Sequence, residues 1–247
     1  MIHLPPLPGH AESPGLGAAI EHALADCHAL EAAGFDGVLV ENEHDRPHRV
    51  AAAEETIAAM TRVTAEVSAS AHHVVVGCEI LLHDPPASLA VAMAAGARFI
   101  RCDYFVDRMT RPEYGEFPID PQGVLDYRAV IGADEVLILA DIQVKYAKMI
   151  EPRPLAESAQ LAAVNGADAI IVTGDATGDA PSVEHLREAV EGVRGFDVPV
   201  LIGSGLRPGN ADRLLGECDG AIVGSSLMRN GRVDPAAAAA LVAAAGR

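Results

Sequence analysis

What this sequence has little of is positive charge. Eighteen Lys and Arg stand against 35 Asp and Glu, a formal net charge of −17. Such a surface repels a nucleic-acid duplex and an anionic bilayer, so neither is expected as a partner. Cysteine is sparse too: Cys27, Cys78, Cys102 and Cys218 lie far apart, with no C-x-x-C pair and no zinc-ligand spacing. They read as reduced, mostly buried small hydrophobes. No apolar run reaches the ~18 residues of a membrane span, and Met1-Ile2-His3-Leu4-Pro5 lacks a basic segment leading into an apolar one. The expectation is a cytoplasmic protein without membrane contact.

What is present is a globular composition, 50% hydrophobic and 21% charged over 247 residues. A chain of this length can bury roughly 70–75% of its unfolded surface without disulfide support. Short β-branched runs alternate with alanine-rich stretches throughout. Strands are expected at Met1–Leu4, Gly37–Val40, Val74–Ile80, Ala97–Cys102, Val136–Ala140, Ala169–Thr173, Val198–Gly203 and Gly220–Gly224. Most are apolar on both faces, as in a covered parallel sheet. Helices fall near 17–33, 51–69, 86–95, 121–131, 154–165, 182–193, 209–215 and 234–245. Asp84-Pro85-Pro86, Asp120-Pro121 and Asp234-Pro235 open three of them, and Gly34, Gly96, Gly132 and Gly166 close others. This α/β pattern predicts a single-domain (β/α)8 TIM barrel over residues 1–247. The loop after the first strand, Pro5-Pro6-Leu7-Pro8-Gly9, carries no G-x-G-x-x-G, which argues against a doubly wound nucleotide fold.

Barrel active sites gather at the C-terminal strand ends. Those ends supply His3; Glu41-Asn42-Glu43-His44-Asp45; Glu79, His83 and Asp84; Arg101 and Asp103; Asp141 through Lys145; and Thr173 with Asp175. The last two strands end in Gly203-Ser204-Gly205 and Gly224-Ser225-Ser226. Glycine and serine loops there either cradle a phosphate with backbone N–H groups or simply make tight turns. Glu41, Glu79, Asp103 and Asp141 come from four consecutive strands. Such a cluster either holds Mg²⁺ or Mn²⁺ or divides into acid and base. His3, His44 and His83 are within reach as imidazoles, whereas His72 and His73 sit at the opposite end and His22, His28 and His185 are read as solvated helix residues. Asp141, Gln143 and Lys145 share one side if the fifth strand runs that far. Lys145 then acts as proton donor or charge clamp, or forms a mouth salt bridge; neighbouring carboxylates disfavour a Schiff base. The long Tyr104–Pro118 segment is either a closing lid or a self-packed loop.

Met1 through Gly9, Glu41-Asn42 with Asp45, Phe99-Ile100-Arg101, Ala140-Asp141 with Val144-Lys145, Val172-Thr173-Gly174 with Thr177-Gly178, Gly203-Ser204-Gly205 and Ile222 through Ser226 are collinear with one family. In these motifs the sequence resembles the BtpA/SgcQ family. The resemblance implies a ribulose-phosphate-binding type of barrel. It departs from the family at Gly77-Cys78-Glu79-Ile80-Leu81-Leu82-His83-Asp84, at Tyr146, at Met228-Arg229 and in the loop after the fourth strand, which marks a divergent branch.

The expected function is an enzyme acting on a phosphorylated sugar or ribosyl-phosphate compound, by isomerase, lyase or glycosidic-bond chemistry. Asp141, Lys145, Glu79, Asp103 and Glu41 are its catalytic candidates. Gly203, Ser204, Gly205, Gly224, Ser225 and Ser226 are assigned to phosphate, and His3, Asn42, Arg101, Thr173 and Asp175 to substrate. A phosphorylated small molecule and further copies of the chain are the expected partners. The alternatives are a non-catalytic assembly factor and a phosphate-ligand sensor.

Overall fold

The β-branched runs become strands and the alanine-rich stretches become helices in the expected order. The computed structural model describes residues 1–246. The strands are β1 (Ile2–His3), β2 (Gly37–Glu41), β3 (Val75–Glu79), β4 (Phe99–Cys102), β5 (Met109–Arg111), β6 (Gly115–Glu116), β7 (Leu137–Ile142), β8 (Lys148–Met149), β9 (Ala169–Val172), β10 (Val200–Ile202), β11 (Gly220–Ala221), β12 (Met228–Arg229) and β13 (Arg232–Val233). The helices are α1 (Leu16–Ala33), α2 (Glu54–Ser70), α3 (Pro85–Ala95), α4 (Pro121–Val130), α5 (Leu155–Val164), α6 (Val183–Gly192), α7 (Ala211–Leu215) and α8 (Pro235–Ala244), with a 3₁₀ turn at Ser225–Leu227.

Eight strands form one parallel sheet in the order β1-β2-β3-β4-β7-β9-β10-β11. Chain order and sheet order coincide, as they do when each strand is followed by a right-handed crossover. The sheet curls, and its ladder stops between β11 and β1. Across that seam the Met1 amine donates to the Val223 carbonyl at 2.6 Å.

The anticipated helix signals do their physical work. Asp84, Asp120 and Asp234 accept from backbone N–H groups of the first turn, each followed by proline at the first helical position. Gly34 and Gly96 end α1 and α3 in the left-handed region. The core joins Ile2, Val40, Cys78, Ile100, Ile138, Ile170 and Ile202 from the strands to Leu30, Val63, Leu89 and Leu186 from the helices. Cys27, Cys78 and Cys102 are buried free thiols, and Cys218 is half-buried. No helix among the described residues is long and apolar enough to cross a membrane.

Two features were not anticipated. The segments after β4 and β7 form a three-stranded antiparallel sheet, β6-β5-β8. Beneath it, Leu82, Tyr104, Met109, Phe117 and Val144 make a second small core. Tyr104 and Phe117 stack there with ring centroids 3.8 Å apart. The Tyr104–Pro118 segment is therefore packed on its own aromatics. The second feature is at His22, whose Nε2 lies 3.2 Å from buried Asp26, itself 3.0 Å from Arg232 of β13. That corrects the reading of His22 as a solvated helix residue.

Helices α5 and α6 touch backbone to backbone. A Cβ on Gly192 would stand 2.2 Å from the Ala156 carbonyl oxygen. Gly192→Ala is therefore expected to destabilise by about 1–3 kcal/mol through overpacking. Denaturant unfolding should show the loss, and an unchanged midpoint would mean that α5 moves aside freely.

Candidate functional site

Register, rather than closeness in sequence, gathers charge at the C-terminal end of the sheet. His3 pairs laterally with Glu41, and Glu41 with Glu79. Paired residues on parallel strands point to one face, about 4.8 Å apart. His3 Nε2 accordingly lies 3.4 Å from Glu41 Oε2. The register sets the buried Glu41 and Glu79 carboxyl groups side by side in this row.

Arg101 of β4 occupies the centre of the acidic group. Its Nε and Nη2 donate to the two carboxylate oxygens of Asp141 on the adjacent β7, at 2.7 and 2.9 Å. Glu79 Oε2 lies 3.9 Å from Nη1, and Asp103 Oδ1 lies 3.8 Å from Nε. Arg101, Asp141, Glu79 and Glu41 are all buried. Asp103 is the most accessible of the four acids, with 12% of its side chain exposed. Burial raises Glu79 well above the usual carboxylate range; Arg101 opposes this, and Asp103 and Glu41 reinforce it. Burial also pushes Asp141 up to about 6 against the pull of Arg101. At Glu41 burial acts upward too, but His3, the neighbouring Glu79 carboxyl and Arg101 outweigh it and bring that carboxyl down. Of these two neighbours, Glu79 is the one that favours its protonated form. Burial lowers the pKa of His3 despite Glu41 beside it.

This arrangement does not fit the Mg²⁺ or Mn²⁺ site expected from Glu41, Glu79, Asp103 and Asp141. Among the described residues, no three or more His, Cys, Asp or Glu side chains converge as metal ligands. The cation between these acids is the Arg101 guanidinium. His83 is also elsewhere, packed on the Tyr104 and Phe117 rings and bonded to the Pro118 carbonyl at 2.9 Å. His44 is exposed.

Strand β7 ends at Ile142 because Gln143 turns into the left-handed region, with φ of 45°. Asp141, Gln143 and Lys145 thus do not line one side. The Gln143 amide donates outward to the Arg153 carbonyl and to Ser158 Oγ, both at 3.0 Å. Lys145 returns to the mouth, its backbone N–H donating to Thr173 Oγ1 at 3.1 Å. Its ammonium is close enough to pull Glu41 and Asp141 downward.

Several residues expected to touch substrate hold protein instead. Arg101 gives two of its N–H donors to Asp141. Asn42 is buried, donates to Asp45 at 3.1 Å and accepts from Leu81 N at 2.8 Å. Thr173 anchors the Lys145 backbone. Ser204 Oγ accepts from Gly174 N at 2.9 Å and donates to the Asp179 carbonyl at 2.7 Å. A Cβ on Gly205 would lie 2.2 Å from Ala180 N, and one on Gly203 3.3 Å from Arg101 Nη2. The loop after β10 is thus closed by the 174–180 loop and by Arg101. Gly224-Ser225-Ser226 differs: Ser225 and Ser226 are exposed, although Ser226 Oγ donates to the Leu206 carbonyl at 2.7 Å. A Cβ on Gly224 would stand 3.0 Å from His3 Nε2, so this loop borders the His3–Glu41 pair.

Sequence reasoning missed Asp107, Arg111 and Tyr146. Buried Asp107 accepts from Gln143 N and Ser158 Oγ, each at 2.8 Å. The Arg111 guanidinium lies 5.2 Å from the centre of the Tyr146 ring, and Tyr146 Oη accepts from Thr177 N at 2.7 Å. These ties join three loops that no local motif connects; Tyr146 was visible only as a departure from the family pattern. A cavity of about 590 Å³ lies outside the 174–180 loop, lined by Asp175, Asp179, His185, Arg207 and Arg213 among others. None of the four mouth carboxylates borders it, so Asp175 faces a space apart from the acid–base group.

Two outcomes follow from the buried charges. Arg101→Met strands Asp141 without its counter-charge, which typically costs about 3–5 kcal/mol. That is roughly 10 °C or more of melting temperature at this size. Adding Asp141→Asn should recover much of the loss, and a single variant as stable as the parent would rule out a tight pair. Glu79 has a raised folded pKa, so its contribution is fully present below the unfolded value and disappears as pH rises. Glu79→Gln escapes that penalty. Its melting temperature relative to the parent should increase from pH 5 to pH 8, by about 2–4 °C per kcal/mol; a constant difference would put the proton elsewhere.

With the geometry established, comparison places the chain among known proteins. Residues 1–247 match the model of the BtpA family. An uncharacterized protein of Archaeoglobus fulgidus is 36% identical over 234 residues, covering 95% of this chain and 92% of that one. The photosystem I biogenesis protein BtpA of Synechocystis sp. is 34% identical over 238 residues, covering 96% and 82%. Among solved structures, N-(5'-phosphoribosyl)anthranilate isomerase from Pyrococcus furiosus superposes with a TM-score of 0.61 at 15% identity, covering 91% and 94%. A 3-hexulose-6-phosphate synthase gives 0.58 at 17%, also covering 91% and 94%. The structural likenesses speak to the fold, and the sequence match decides membership: the chain belongs to the BtpA family.

Proposed function

We propose that the curled sheet completes a single-domain (β/α)8 barrel and that its C-terminal mouth is the active site of an enzyme acting on a phosphorylated sugar or ribosyl-phosphate compound. The observation that carries this reading is the adjacency of Gly224 to the His3–Glu41–Glu79 row. It puts an open glycine and serine loop beside a buried carboxyl pair. The phosphosugar and phosphoribosyl enzymes with similar folds support the same reading.

In this reading the phosphate rests on Gly224-Ser225-Ser226, the part of the expected cradle that the 174–180 loop leaves open. Lys145, at the rim, clamps negative charge on the ligand. Glu79 holds the proton and serves as general acid beside Glu41. Asp103 is the base, because it is the most accessible of the four acids. Asp141 takes a positioning role, since both its oxygens are engaged by Arg101. Gly203, Ser204 and Gly205 shape the wall rather than hold the phosphate.

Thermal unfolding and calorimetry with pentose phosphates, nucleoside monophosphates and inorganic phosphate test this directly. A phosphorylated ligand at ~100 times its dissociation constant should add about 2.7 kcal/mol, or roughly 5–10 °C. Lys145→Met should weaken that ligand about tenfold or more and leave the unliganded melting temperature near the parent's. Absence of any phosphate-dependent shift would overturn the assignment.

A further inference from the structure

The charge around the mouth says what kind of transition state it can hold. Four carboxyl groups, Glu41, Glu79, Asp103 and Asp141, face two permanent cations, Arg101 and Lys145. Protonating Glu79 still leaves the group net negative. Arg101 offers a ligand little positive charge, because Asp141 grips it with two hydrogen bonds and Glu79 and Asp103 flank it. His3 adds an imidazole whose charged form burial disfavours. The most accessible of the four acids, Asp103, accepts hydrogen bonds and attracts positive charge.

Reactions at phosphosugars divide by the sign of the charge they develop. Proton abstraction beside a carbonyl builds an enediolate, which needs donors or cations against its oxygens. Glycosidic-bond cleavage builds an oxocarbenium ion, which carboxylates stabilise. Resting on the phosphosugar reading above, we infer that this mouth is built for heterolysis of the bond between the anomeric carbon of a phosphorylated sugar and its leaving group. The juxtaposition of the laterally paired, buried Glu41 and Glu79 with Asp103 around an Arg101 already bound to Asp141 carries this inference.

The step balances with water as co-reactant. The bond from the anomeric carbon to the leaving group breaks, and the leaving group departs with the electron pair. It takes the proton held by Glu79. Water then adds to the anomeric carbon and passes a proton to the Asp103 carboxylate. The products are the free phosphorylated sugar and the protonated leaving group, and solvent exchange returns the proton to Glu79. Lys145 holds the phosphate end, away from the developing cation.

Calorimetric binding to the intact chain tests the sign of charge without requiring turnover. Three phosphorylated probes are compared: a five-membered iminosugar with a ring ammonium, its neutral ring-oxygen counterpart, and an open-chain hydroxamate that mimics an enediolate. The iminosugar should bind at least about tenfold tighter than the ring-oxygen probe, and the hydroxamate more weakly than either. Asp103→Asn, which keeps side-chain size, should erase the iminosugar preference while leaving affinity for the ring-oxygen probe near the parent's. Equal binding of the two ring probes, or tighter binding of the hydroxamate, overturns this inference and leaves the phosphosugar reading standing. Failure of all three probes to bind overturns both.

Discussion

The buried pair of Arg101 with Asp141 is the constraint around which the rest of the mouth is arranged. Four acids projecting from β2, β3, β4 and β7 into one low-dielectric space would repel one another strongly. The guanidinium relieves that repulsion because it is planar and bidentate on Asp141 while Glu79 lies near Nη1 and Asp103 near Nε. A lysine would offer a single point of charge and leave one Asp141 oxygen unpaired. Space for the guanidinium is itself provided by sequence. At Gly203 any side chain would press on Arg101, and on the Ile171 and Thr173 methyl groups as well. A glycine that looks like a phosphate-loop residue is here a requirement of packing around a buried ion pair.

A second set of contacts places Lys145. The chain leaves β7 through two left-handed residues, Gln143 and Tyr146, and neither is glycine. Asp107 fixes the first turn through the Gln143 amide. Tyr146 fixes the second, clasped between Arg111 and the Thr177 amide. Lys145 lies between these anchors, with its own backbone bonded to Thr173. The small sheet β6-β5-β8, its stacked Tyr104–Phe117 core and the loop after β9 therefore act as one support. Three loops from separate strands set the position of one ammonium group.

The fold was legible because it depends on local periodicity. All eight sheet strands lie within or beside the β-branched runs, and the aspartate–proline starts and glycine ends mark helices as capping chemistry requires. The identity of the mouth acids was legible as well, since strand ends point there in any such sheet. What could not be read was partnership. Arg101, Asn42 and Ser204 have the side chains of ligand-binding residues, yet each is engaged by protein groups tens of residues away. Asp141 was paired with Lys145 on sequence spacing, but lateral neighbours on adjacent strands outrank neighbours along the chain. The short strands β5, β6 and β8 were illegible for the same reason, because two- and three-residue pairings carry no periodicity.

The low identity to phosphosugar enzymes of similar fold leaves the reaction to be argued from the wall of the mouth itself. A shared fold positions residues; it does not set the sign of the charge they present. Among the described residues the one buried arginine is neutralised inside the wall, and the histidine beside Glu41 is held toward its neutral form. Burial and charge drive the acidities of neighbouring Glu79 and Glu41 apart, which sets an acid beside a carboxylate. Burial raises Glu79 and the row of register places Glu41 against it, so acidity and geometry have one origin. Of the features that distinguish this chain from its family pattern, Glu79 falls on that row.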